Sequence, residues 1–125
     1  GTLLSQSTQV GGLDIYVVRT IAPSGLQALV GGPPAPPGTP RTAASGVAIS
    51  ADALCYRTWK ELARTTAHEL ARAMGLARAV EPTGEVDTIE DSDTSIDNLM
   101  YFGEGGSTTL SPGQRTILRN SPVLR

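Results

Sequence analysis

The sequence predicts an α+β domain, and three observations carry that expectation. Residues 13–20, LDIYVVRT, alternate with the two-residue period of a strand. Residues 56–74 repeat apolar side chains at three- and four-residue spacings, the period of a helix. Fourteen glycines and nine prolines in 125 residues carry too much turn chemistry for an all-helical bundle. The length fits one domain. Hydrophobic residues make up 39% of the chain but aromatics only 4%, so the core is expected to be thin.

The elements follow in order. Residues 1–12 are polar and glycine-containing, and the strand after them sets Leu13, Ile15 and Val17 against Asp14, Tyr16 and Val18, with at least one face buried. The short stretch LQALV then leads into GGPPAPPGTP (31–40), where five prolines remove amide donors and forbid a regular ladder, leaving an irregular surface loop. SGVAIS (45–50) reads as a second strand, and Ser50 is placed to cap a turn or short helix at SADAL. The main helix runs from Tyr56 to Met74 with Trp59, Leu62, Ala63, Thr66, Leu70, Ala73 and Met74 on its apolar side, and Gly75 ends it. Cys55, between Leu54 and Trp59, reads as an apolar packing residue.

Residues 81–98 hold seven of the twelve acids and no base, whereas Arg57, Lys60, Arg64, Arg72 and Arg78 all precede them, so the two stretches are expected to pair in space. Glu85, Asp87, Asp91, Asp93 and Asp97 also offer enough oxygen ligands for calcium, although the EF-hand spacing is missing. A calcium-dependent binding or adhesive domain is one functional reading of this segment. SPGQRTILRN (111–120) carries a complete helix start: Ser111 as N-cap, Pro112 at N1 and Gln114 at N3, with Ile117 and Leu118 facing inward.

Composition excludes several classes. A net charge of −2 and a pI near 5.3 give no basic field for nucleic acid. No run approaches the roughly 18 apolar residues of a membrane span, and the N-terminus lacks a signal-peptide pattern. One cysteine makes no internal disulfide, and one histidine excludes an ordinary zinc centre of two or three imidazoles.

Chemistry concentrates in HELARAMGLAR (68–78), with His68 followed by Glu69 inside the long helix. In H-E-x-x-H two histidines one turn apart hold zinc and the glutamate polarises a bound water, but here Arg72 stands at the second position. A guanidinium has no lone pair and repels a cation, so the metal site is broken there. The segment resembles the metzincin clan of zinc endopeptidases, whose signature is H-E-x-x-H-x-x-G-x-x-H followed by a methionine-containing turn. His68, Glu69 and Gly75 match the first ligand, the general base and the helix-ending glycine, while Arg72 and Arg78 replace the second and third ligands. DNLMYF (97–102) resembles the Met-turn, with Met100 as the apolar floor, and LSPGQRTILRNSPVLR resembles the closing helix of secreted bacterial members.

The resemblance covers roughly residues 13–125. It implies a truncated metzincin-like domain: a mixed sheet packed on a long active-site-like helix, a Met-turn and a C-terminal helix. The N-terminal elements of the full fold are expected to be absent, lost in processing or supplied by another chain. It further implies a secreted or cell-envelope location and a catalytically inactive relative of a protease. Glu69 is then a vestigial base, His68 a vestigial or weak ligand, and no cofactor is bound. The role is structural, assembly or peptide-binding, with a protein, a peptide or a second copy as partner. An atypical zinc endopeptidase, using His68, Glu69 and Asp87 or Asp91, is the alternative enzyme reading.

Overall fold

In a computed structural model, which describes residues 3–6, 8, 10–22, 26–30, 38–103 and 107–124, five regular elements succeed one another. They are strands β1 (Asp14–Val18), β2 (Ala28–Val30) and β3 (Gly46–Ser50), then helices α1 (Trp59–Ala73) and α2 (Pro112–Arg119). The chain is a small α+β domain with a three-stranded mixed sheet. No helix among the described residues is long and apolar enough to cross a membrane.

β3 is the centre of the sheet because all five of its residues are buried. It pairs in parallel with β1, Ile15 beside Val47 and Val17 beside Ile49, and antiparallel with β2, Ala28 beside Ile49. The strand order is therefore β1-β3-β2, with β2 at one edge. Helix α1 lies over β2 and β3, and Leu62 and Ala73 join Ala28, Val47 and Ile49 in one aliphatic core. Each of those larger side chains contributes roughly 1.5–3 kcal/mol by burial before the entropy of ordering is counted. A 3-10 turn at Leu4–Gln6 also packs near β3, and the Ser45 hydroxyl donates to the Leu4 carbonyl.

Several expectations are corrected here. The helix begins at Trp59, not Tyr56, because Thr58 and Glu61 close a capping box: Thr58 Oγ1 accepts from the Glu61 amide at 3.2 Å and Glu61 Oε2 from the Thr58 amide at 2.7 Å. The amides of Tyr56 and Arg57 turn back to the Ala53 carbonyl instead. Trp59, assigned to the apolar face, is 75% exposed, since α1 leans away from β1. For the same reason Ile15 and Val17 are exposed and neither face of β1 is fully covered. Together with Leu54 and Leu70 these side chains line an apolar groove of about 480 Å³ between β1 and α1. Cys55 is an exposed free thiol rather than a packing residue. Ser50 occupies the cap position of the 3-10 turn Ala51–Cys55, but its hydroxyl bonds Asp52 and makes no cap bond. LQALV contains a strand that alternation over so short a run does not reveal. Residues 31–37 of the proline-rich loop lie outside the described residues.

After α1, Met74 closes the last turn and Gly75, at φ +103°, takes a backbone conformation that strains any residue with a Cβ. Among the described residues no further helix or strand follows until α2, and isolated bridges of Val80 to Val86 and Tyr101 and of Asn98 to Thr109 tie the segment. A second core forms on this side of the helix from Ala71, Leu76, Ala79, Leu99 and Met100, with Leu118 packed against it. Helix α2 has the expected capping box, but Ile117 is exposed and only Leu118 turns inward. An eight-residue helix resting on one side offers an inward stripe too narrow for both.

Candidate functional site

The third and fourth turns of α1 place His68 and Glu69 side by side, both buried. The imidazole is fixed at one end: Nδ1 donates to the Leu99 carbonyl oxygen at 2.8 Å, because a carbonyl can only accept. The neutral ring therefore carries its lone pair on Nε2, which lies 4.0 Å from Glu69 Oε1. Burial pushes the His68 pKa below its ordinary value, against the opposing pull of the Leu99 carbonyl and the Glu69 carboxylate, so the ring is neutral at pH 7.

Glu69 divides its two oxygens. Oε2 accepts from Arg72 Nη1 at 3.2 Å, an i,i+3 pair on the helix surface, while Oε1 faces His68. Arg78, beyond the Gly75 turn, donates through Nη1 to Glu81 Oε2 at 2.8 Å, and its Nε has no acceptor among the described residues. His68, Glu69 and Arg78 share a pocket of about 210 Å³, whose walls include Leu26–Ala28 at the start of β2, Arg64, and Tyr101 and Phe102. One wall of this pocket is thus the start of β2, an edge strand of the described sheet.

The Leu99 carbonyl is held in place by a residue that sequence reading missed. Arg64 donates to three backbone oxygens of the following segment, those of Leu99, Gly103 and Ser107, at 3.3–3.4 Å. Its place one helical turn before His68, on the side facing residues 97–103, was the available signal. Asn98 and Gln114 complete the support. Asn98 Nδ2 donates to Gln114 Oε1 at 3.0 Å, and Asn98 Oδ1 accepts from the Met100 amide at 2.8 Å. Met100 is fully buried against Ala71 and Leu76, under α1, and does not line the pocket.

A zinc ion does not fit the residues present. Arg72, which has no lone pair to offer, pairs with Glu69 one turn from His68, and Arg78 adds a positive charge to the pocket that His68 lines. Among the described residues no three His, Cys, Asp or Glu side chains form a set able to hold a metal ion. Asp87 accepts from Ser92 Oγ and the Ile89 amide, and Asp91 from the Gly113 amide, so neither is turned to His68. Asp93 likewise accepts from the Ser95 amide, while Glu85 and Asp97 are exposed. The acids of residues 81–98 are thus used largely one at a time, on local turns and on α2. The expected pairing with the preceding bases reduces to a single ion pair among the described residues, Arg78 with Glu81.

Comparison with protein-family models, with curated proteins and with solved structures finds no match.

Proposed function

We propose that this chain is a metalloprotease-like domain of metzincin type that has exchanged its metal for guanidinium groups and acts by binding peptide rather than cutting it. The observation that carries the reading is the Arg72–Glu69 ion pair: the glutamate that resembles the general base is held by a guanidinium, a cation with no open coordination position at which water could be activated. A charge-assisted bond of this kind replaces metal coordination while keeping the shape of the site. The strand order supports it too, since β2 is an antiparallel edge strand of the described sheet and lies beside the pocket, the position from which a strand can pair with an extended peptide. Met100 beneath α1 and Gly75 at its end agree with the Met-turn and helix-ending glycine of that clan. A secreted or cell-envelope setting belongs to the same proposal.

The test is elemental analysis of protein purified without added metal, together with a quenched-peptide cleavage assay. The reading expects no stoichiometric zinc and no hydrolysis. Zinc bound one per chain, lost in His68→Ala together with cleavage, would establish the atypical endopeptidase instead.

A further inference from the structure

We infer that the pocket beside β2 is built to receive a primary amide, the side chain of a glutamine or asparagine in the bound peptide. This rests on the peptide-binding reading above and names what the site selects.

The His68 side chain is more than nine-tenths buried, and with Nδ1 committed to Leu99, its Nε2 has no hydrogen-bond partner among the described residues and opens on the pocket as an acceptor. Glu69 Oε1, 4.0 Å away, is a second acceptor, since only Oε2 is taken by Arg72. Across the pocket stands Arg78, a pure donor that spends Nη1 on Glu81. The walls thus present two neighbouring acceptors and one cationic donor.

Few side chains match that set. A carboxylate satisfies Arg78 but offers no hydrogen to Nε2 and meets the charge of Glu69. An ammonium satisfies the acceptors, but Arg64 and Arg78 line the pocket with like charge and it accepts nothing. A hydroxyl has one hydrogen for two acceptors. A primary amide has two N–H donors for Nε2 and Oε1 and a carbonyl for a guanidinium. The volume of about 210 Å³ admits one such side chain, and Leu26–Ala28 bring the edge of β2 to the rim, so a peptide paired with β2 has a residue at the mouth.

The experiment titrates acetyl-Val-Thr-X-Thr-Val-amide peptides, with X as Gln, Glu or Leu, into the whole chain. Binding is followed by NMR through the imidazole nitrogens of His68, whose signals are unambiguous because the chain has no other histidine. The Gln peptide is expected to bind about tenfold or more tighter than the Glu and Leu peptides and to shift Nε2 as it gains a donor. In Glu69→Gln, where one acceptor loses its charge, the preference over Glu narrows while the Gln peptide still shifts Nε2. Equal binding of all three peptides without a shift at Nε2 overturns the amide assignment and leaves peptide binding along β2 standing. Tighter binding of Glu overturns it in favour of a carboxylate site. No binding of any peptide overturns the peptide-binding reading itself.

Discussion

The two cores that flank α1 are closed in different ways. On the sheet side the main chain satisfies itself through the β ladders, and what is lacking is cover: Val17 is 71% exposed and the groove over β1 stands open beside Trp59. On the other side there is almost no regular structure, yet Leu76, Leu99 and Met100 are sealed from solvent. Irregular backbone can be buried only when its polar groups are paired, and here loop-to-loop bonds such as Leu99 N–H to the Thr109 carbonyl act together with the side chains of Arg64, Asn98 and Gln114. The difference teaches that regular structure and tight closure are separate properties. The pocket lies where the two sides meet, with the sheet edge for one wall and the networked turn for another.

The sharpest way to break the comparison is to truncate one apolar side chain on each side. Met100→Ala is expected to cost about 3 kcal/mol, since it opens a cavity that the tied loops cannot collapse. Val17→Ala is expected to stay within about 0.5 kcal/mol, because the side chain is already in water. Urea unfolding of both variants checks this, and equal losses would mean that the two sides are closed alike. Gln114→Ala comes next, at about 2 kcal/mol. Its side chain is fully buried, and its removal strips the Ser111 amide and Asn98 of their partner. A loss confined to a few tenths would show that the polar network is not what closes the loop side.

The smallest effect is on pH. Burial holds His68 below its ordinary value, so the unfolded chain binds a proton more readily than the folded one. Stability from this group is therefore full above about pH 6.5 and falls as pH drops from there toward the folded-state value. Asp91, held low by the Gly113 amide, and Asp93, held low by the Ser95 amide, lose their contribution only in the carboxylate range, at more acid pH. NMR titration of the single imidazole alongside urea midpoints checks the order. A His68 midpoint at or above the ordinary value would contradict it.

How far the sequence carried the account depended on whether a signal was local. The capping box at Ser111, the helix period through α1 and the glycine at its end are decided by neighbours in the chain, and all are legible there. Trp59 and Val17 were misplaced because periodicity tells which residues share a face, not whether anything covers it. The start of α1 was misplaced because apolar spacing continues past Thr58 while the hydrogen bonds do not. Gly113 hints at a contact seen only in three dimensions: a Cβ there would stand 2.5 Å from Asp91 Oδ1, so the acidic segment docks against the start of α2. The site was legible as residue types at positions 68, 69, 72 and 78, but not as bonds. Arg72 takes Glu69 within α1 and Arg78 takes Glu81 beyond it, each three residues away on its own side of the Gly75 turn.

The proposed function holds that Arg72 and Arg78 stand where a metzincin-type site would carry metal ligands. The most direct measurement is zinc binding by the double variant Arg72→His/Arg78→His beside the unaltered chain, by equilibrium dialysis and metal analysis. The account predicts one tightly held zinc per chain in the double variant, lost again when His68 is also replaced by alanine, and none in the unaltered chain. A double variant that folds but takes up no zinc, or an unaltered chain that holds it, would contradict the account.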